Sequence, residues 1–171
     1  AIADGSCYYE QYENLIVQDE SITMHGQHYY HLIELNNAII YVEDYTGFDD
    51  GRGFLQLYAD SIIVNQGSYI NANGKAVSYN QSSPSTHDGA GYGGHGGGSG
   101  NPMGGSTYGD NAILDMGSHG GGGDPNDVDA AGGGAILLEA NYIQIAGEVT
   151  VNGMVGNGGA SNSCSDVGDG G

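Results

Sequence analysis

The chain contains 171 residues, 34 of them glycine, and its 21 acidic side chains outnumber the two basic ones to give a formal net charge of -19. Binding to nucleic acid or to an anionic membrane surface needs clustered Lys and Arg, so this composition excludes both as direct partners and favours cations. No apolar run approaches the about 20 residues that a membrane span requires, so we expect no membrane insertion.

Cys7 and Cys164 lie near opposite ends of the sequence. Neither has the CxxC or Cys/His spacing of a zinc site, so we interpret both as disulfide-forming residues of a protein in an oxidising, extracellular compartment. Asn80 begins the glycosylation sequon Asn-Gln-Ser, which also indicates secretion.

Residues 14–74 are predicted to form the first β coils. Apolar and polar residues alternate there in short runs that end at Gly or Asn-Gly, a pattern of strands and turns, and no window has the period of a helix. We place strand starts at Leu15, Ile33 and Leu55, and second strand starts at Ile22, Ile39 and Ile62. The starts recur at about 20 residues, the period of one coil of a solenoid.

Three histidines, His25, His28 and His31, fall in this region. On a strand, His25 and His31 point to one face and His28 to the other, so a metal triad would need a turn between them. We therefore interpret them as solvated or hydrogen-bonding histidines.

Carboxylates are plentiful, and a glycoside hydrolase needs two of them across a cleft. The pairs considered are Asp49 with Asp50 and Glu34 with Glu43. A lyase acting on acidic sugars would also need basic residues to hold its substrate. The chain has only Arg52 and Lys75, and we expect Arg52 to pair with a neighbouring carboxylate. We therefore predict that the chain is not an enzyme.

Residues 75–131 form a glycine-rich excursion that holds 16 of the 34 glycines. Five apolar or aromatic side chains are spaced through it as candidate anchors: Tyr92, Tyr108, Ile113, Leu114 and Met116. Glycine permits close backbone packing, so the excursion is either an ordered segment packed on the β coils or a mobile loop.

Asp124, Asp127 and Asp129 offer several oxygen ligands within this excursion. Oxygen ligands suit a hard cation such as calcium, although the spacing is not that of an EF-hand. The two interpretations are a calcium site, which would make calcium the only cofactor, and an acidic surface turn.

Residues 132–153 repeat the pattern of residues 51–74. The equivalent pairs are Gly53 and Gly134, Leu57 and Leu138, Ala59 and Ala140, Ile62 and Ile143, and Val64 and Ile145. After two one-residue deletions, the next equivalent pairs are Gly67 and Gly147, and Asn73-Gly74 and Asn152-Gly153. Identical corners recur where coils stack on one another, so we expect both Leu57 and Ile143 to point into the stack.

The stretches GYGGHGGGSG, LDMGSHGGGG and GGGAILLEANYIQIAGEVTVNG together resemble the glycine-rich β-helical repeats of large secreted and cell-surface, adhesin-like proteins. The resemblance covers residues 53–171 and is carried by a motif of low complexity. It implies an extracellular protein with an adhesive or structural role and without known catalysis.

The sequence thus predicts an all-β fold, a right-handed parallel β-helix, with a β-sandwich as the alternative. We expect one elongated domain over residues 1–171, with first coils at 14–74, the excursion at 75–131, and a further coil and the start of a second glycine-rich segment at 132–171. The predicted function is a secreted structural subunit that joins copies of itself head to tail in a filament or surface layer. The alternative is an adhesin or glycan-binding module, including an ice-binding one, that uses tyrosine faces to bind glycans or a cell surface.

The cysteines give a first test of a linear stack. Coils advance by about 4.8 Å each, so Cys7 and Cys164 of one chain would lie farther apart than the about 7 Å that a disulfide spans. We expect Cys164 of one copy to bond to Cys7 of the next, which appears on a non-reducing gel as a ladder of multimers that collapses with thiol. A monomer band that only shifts on reduction would contradict the linear stack.

Overall fold

The computed structural model describes residues 12–47, 50–77, 106–109, 114–118 and 131–154. Within these ranges the backbone forms eight strands and no helix. The strands are β1 Asn14–Gln18, β2 Ser21–Met24, β3 Gly26–Asn36, β4 Ile39–Val42, β5 Phe54–Val64, β6 Tyr69–Asn71, β7 Ala135–Ile145 and β8 Glu148–Thr150. The prediction of an all-β protein is confirmed.

Successive strands alternate between two four-stranded sheets. One sheet has the order β1-β3-β5-β7 and the other β2-β4-β6-β8. Every ladder within the two sheets is parallel. Each odd strand and the even strand after it form one level, and the four levels lie on one another in chain order.

The sequence repeat coincides with the strand register. In the ladder between β5 and β7, Leu57 pairs with Leu138 and Ile62 pairs with Ile143. Beyond the strands, the Gly74 amide donates to the Asn152 carbonyl at 2.9 Å. The predicted equivalence of residues 51–74 and 132–153 is therefore confirmed.

The predicted strand start at Ile62 is wrong. Ile62 lies inside β5, which runs unbroken from Phe54 to Val64, and it pairs with Ile33. The second strand of this level is β6, which begins at Tyr69. Two apolar runs that the sequence separates are therefore two halves of one long strand.

The reason is a shift in side-chain alternation within the long strands. In β5 the buried positions are Leu55 and Leu57 in the first half and Ile62 and Val64 in the second, so the alternation slips by one residue near Asp60. The ladder pairs the residues on either side of Asp60 but omits Asp60 itself. The ladder omits the equivalent residue His31 as well, so the register is the same on both sides of the break and neither strand carries an extra residue.

Stacked levels align their inward side chains in columns, because parallel in-register pairing places equivalent residues side by side. Three columns are aliphatic at all four levels: Leu15, Ile33, Ile62 and Ile143; Val17, Leu35, Val64 and Ile145; and Ile22, Ile40, Ile70 and Val149. Their members in the two middle levels are fully buried. These columns form the main core.

The links between the two strands of a level share one backbone conformation in the first three levels. Asp19, Asn37 and Gly67 have φ of 55°, 48° and 81°, a left-handed region that Asp, Asn and Gly enter most readily. The Asn37 side-chain amide donates to the Asp19 carboxylate at 2.9 Å. This bond, with a second one from Gln18, holds the pKa of Asp19 below its usual value.

Part of the glycine-rich excursion packs on the sheets. Met116 is fully buried with Ala76 and Ala135 in a second, smaller core cluster. The Tyr108 hydroxyl donates to the Met116 carbonyl at 2.5 Å, and Leu114 packs against the same cluster. The interpretation as an ordered, anchored segment therefore holds for residues 114–118, whereas the candidate anchors Tyr92 and Ile113 lie outside the described residues.

Two glycines permit close packing where the excursion returns to β7. A Cβ added to Gly133 would collide with the Val151 carbonyl, and one added to Gly134 would lie 2.7 Å from the Gly53 carbonyl oxygen. Both contacts are with backbone atoms, which cannot rotate away. Only glycine fits at either position.

The structure corrects one expectation for the core. Leu57 is fully buried, as expected, but Ile143 is 42% exposed, because β7 is the last strand of its sheet in the described part of the chain. Ile143 therefore faces the interior on one side only.

We expect Leu57→Ala to lower the free energy of unfolding by about 2–5 kcal/mol, the range for a buried large-to-small substitution. Ile143→Ala should lower it by about 1 kcal/mol or less in dilute monomer, since much of its side chain already contacts water. Urea unfolding of both variants measures the difference. Equal losses would show that the two side chains are equally buried in the monomer.

Candidate functional site

The site residues proposed from sequence lie outside the described residues. They are the disulfide candidates Cys7 and Cys164, the glycosylation candidate Asn80, and the calcium candidates Asp124, Asp127 and Asp129. All of these assignments stay predictions. In the described ranges, no group of three or more His, Cys, Asp and Glu side chains could hold a metal ion.

The three histidines have separate partners. His25 Nδ1 lies 2.6 Å from a Glu43 carboxylate oxygen, and His31 Nδ1 lies 2.5 Å from Asp60. His28 contacts the His25 carbonyl at 2.8 Å, and its ring stacks on that of Tyr30. This is the hydrogen-bonding arrangement that the alternation of strand faces predicted.

Both basic side chains of the chain lie against carboxylates. Arg52 Nε is 3.3 Å from Asp50 and 3.7 Å from Glu43, which confirms the predicted pairing of Arg52. Lys75 Nζ is 2.8 Å from Asp44. Each basic group therefore has a carboxylate partner within 4 Å.

The carboxylates nominated for hydrolysis have structural partners. Glu34 accepts a hydrogen bond from the Asn36 amide at 3.2 Å, and Glu43 is held by His25 and Arg52. Asp50 accepts a hydrogen bond from the Arg52 backbone amide at 3.2 Å, while Asp49 lies outside the described residues. The Glu34 and Asp50 contacts are local, whereas the contact of Glu43 with His25 joins the segments that follow β4 and β2.

Three tyrosines form a stack on the outer surface. The ring centroids of Tyr12 and Tyr29 lie 5.9 Å apart and those of Tyr29 and Tyr58 lie 4.9 Å apart, with interplanar angles of 24° and 17°. Parallel rings at this spacing cover one another's faces. The middle ring, Tyr29, therefore presents its edge to solvent.

The most distinctive surface of the described chain is the edge formed by β7 and β8, which we call the open edge. In the described residues each of these strands pairs on one side only, so one row of backbone amides and carbonyls on each has no strand partner. The inward residues Ile143, Ile145 and Val151 are 42%, 47% and 47% exposed. An apolar edge of this length is a template for pairing with another strand.

A recess of about 240 Å³ lies along the open edge. Its apolar lining comes from Leu114, Ala135, Ile136 and Val151, and glycine backbone forms much of the rest. The recess exists because the close-packed glycines leave no side chains to fill it. The recess lies between the edge residues Ile136 and Val151 and Leu114 in the anchored part of the excursion.

The opposite end of the stack, formed by β1 and β2, is better covered than the open edge, since Val17 is only 1% exposed. Leu15, Ile22 and Met24 are half-buried and pack on the core from one side. Nearby, burial raises the pKa of Tyr30, and the negative charge of Glu13 adds to the effect. At this end a further level would therefore cover the remaining surface of Leu15, Ile22 and Met24.

Sequence reasoning did not identify the open edge. Ile143 and Ile145 have the same pattern as the buried Ile62 and Val64, so the sequence gives both pairs the same inward orientation. Their difference in exposure depends on whether another level follows. The sequence repeat does indicate such an edge, since each repeat needs a neighbouring level on both sides.

Comparisons of the chain with protein-family models, with curated proteins and with solved structures found no match. No helix among the described residues is long and apolar enough to cross a membrane.

Proposed function

We propose that the two sheets are faces of a right-handed parallel β-helix in which each level is one coil, and that the chain is an extracellular structural subunit that joins copies of itself end to end. The fold proposal is supported by the alternation of successive strands between two sheets and by the parallel direction of every ladder. The β-sandwich alternative has antiparallel sheets. The strand alternation and the parallel ladders also support the proposed resemblance to the glycine-rich β-helical repeats of cell-surface proteins.

The observation that carries the functional proposal is the open edge. Ile143, Ile145 and Val151 are the exposed ends of a core that is fully buried one level earlier. Covering about 100 Å² of such apolar surface would contribute about 2.5 kcal/mol, in addition to the backbone hydrogen bonds of the edge strands. A second copy supplies a partly buried apolar surface at its β1 and β2 end.

Electrostatics sets the conditions for assembly. Each copy carries a formal net charge of -19, so two copies repel one another at long range. Salt shortens the reach of this repulsion to about 8–10 Å at physiological ionic strength. Association through an apolar edge should therefore strengthen as salt is added, whereas an interface of ion pairs would weaken.

The alternative function, glycan or cell-surface binding, rests on the exposed tyrosines. A sugar ring packs on the face of an aromatic ring, but the faces in the Tyr12, Tyr29 and Tyr58 stack cover one another. This arrangement favours a structural role for the tyrosines. The proposal of a non-enzymatic function is supported in the same way by the carboxylate partners of Arg52 and Lys75.

We expect the protein to associate in a concentration-dependent way, and Ile145→Lys to abolish this by placing a charge at the end of a core column. Gln144→Lys is the matched control, because it adds the same charge at the neighbouring, outward-facing position of β7. Sedimentation velocity at several concentrations, with electron microscopy of the associated material, measures the effect.

Association of Gln144→Lys together with a monomeric Ile145→Lys supports the proposal. If the unmodified protein stays monomeric at all concentrations and salt levels, the proposal fails. Equal association of both variants would place the contact elsewhere on the surface.

A further inference from the structure

We infer that β7 and β8 of one copy pair in parallel with β1 and β2 of a second copy, so that the register within the chain continues across the joint. The inference rests on the proposed self-association and adds to it a polarity, a register and a set of facing residues. The core columns, the corners between strands and the charges at the two ends of the stack support this register.

The columns define the register. In this register Leu15 lies over Ile143 and Ile22 over Val149, and the column of Val17 is in line with Ile145, although Val17 itself is only 1% exposed. Each of these pairs continues a column that is aliphatic at all four levels of the chain. A slip of one residue turns every side chain to the opposite face. A slip of two residues keeps the faces but places Leu15 beside Asn141 or Val17 beside Gly147, so it breaks the columns.

The recess in the open edge receives a side chain in this register. Met24 pairs with Val42. Extending the ladders β4–β6 and β6–β8 by one residue aligns Val42 with Ala72 and Ala72 with Val151. Met24 of the second copy therefore lies over Val151, which lines the recess. A flexible thioether side chain is suited to filling an irregular apolar gap.

The outward residues are compatible with the high negative charge. Along the joint, Tyr142 would face Asn14 and Glu148 would face Ser21. Neither pair places two carboxylates opposite one another, an arrangement that would be destabilising in paired strands. Two copies with many acidic residues can therefore approach in this register without a facing acidic pair at these positions.

The main competing arrangement is an antiparallel contact between the β7 strands of two copies. Such a contact is two-fold symmetric and stops at a dimer, whereas a head-to-tail contact continues into a filament. It also reverses the chain direction, so the corner at Ala146–Gly147 would not lie against the corner at Asp19–Glu20. The parallel arrangement stacks these corners as the chain itself stacks them.

Disulfide trapping tests the register. In a background with Cys7→Ser and Cys164→Ser, one preparation carries Asn14→Cys and the other carries Tyr142→Cys, both at outward-facing positions. Neighbouring residues of paired strands lie about 4.8 Å apart, within the Cα separation that a disulfide accepts. We expect the mixture to give an oxidised band at twice the monomer mass and each preparation alone to give none.

A matched control combines Tyr142→Cys with Thr23→Cys, an outward position in the other sheet, which should not cross-link. A second pair, Ser21→Cys with Glu148→Cys, tests the other sheet and replaces the first pair if either of its variants fails to fold by circular dichroism. A chain carrying both Asn14→Cys and Tyr142→Cys should form a ladder of multimers.

The outcomes separate the inference from the proposed function. Cross-linking of Tyr142→Cys with itself overturns the parallel joint in favour of the antiparallel one. Association by sedimentation without a cross-link in either designed pair overturns the register but leaves self-association intact. Absence of association in the unmodified protein overturns both.

Discussion

The structure depends on one constraint: an aliphatic side chain that points inward from one level is shielded from water only where other parts of the chain cover it on both sides. A single level is one strand thick and cannot bury its own side chains. Ile33 and Ile62, with neighbours on both sides, have no exposed surface, whereas Ile143 is 42% exposed. The local sequence pattern is the same at all three positions, so the neighbouring level decides the burial.

The acidic charge and the glycine content are both compatible with this constraint. Charged side chains occupy outward positions and corners, where contacts such as the one between Asn37 and Asp19 connect adjacent levels. Glycine allows the long excursion between β6 and β7 to return closely against the sheets, as the backbone contacts of Gly133 and Gly134 show. The chain can therefore insert many residues between two levels without changing how they stack.

Much of the fold was predictable because stacked levels place equivalent residues in equivalent surroundings. The alignment of residues 51–74 with 132–153 predicted the ladder between β5 and β7 pair by pair. The alignment of Ile33 with Leu55 was wrong, because the slip in alternation near Asp60 resembles a strand boundary in sequence. A local pattern cannot distinguish one strand with such a slip from two strands.

The candidate site was less predictable than the fold. The side chains singled out from sequence were chosen for their chemistry, such as the histidines and the carboxylates, and the described ones among them have structural partners. The open edge consists of ordinary core residues, and its significance comes from what lies beside it. No property of Ile145 or Val151 as residues distinguishes them from buried positions.

Hydrogen–deuterium exchange measured as a function of protein concentration tests most directly whether the open edge is covered by another copy. The account predicts that amides of β7, β8, β1 and β2 become protected as concentration rises, because these strands form the joint. Amides of β4 to β6 and of residues 32–36 in β3, already paired on both sides over most of their length, should show little further change. Exchange in β7 and β8 that stays rapid at every concentration would contradict the account.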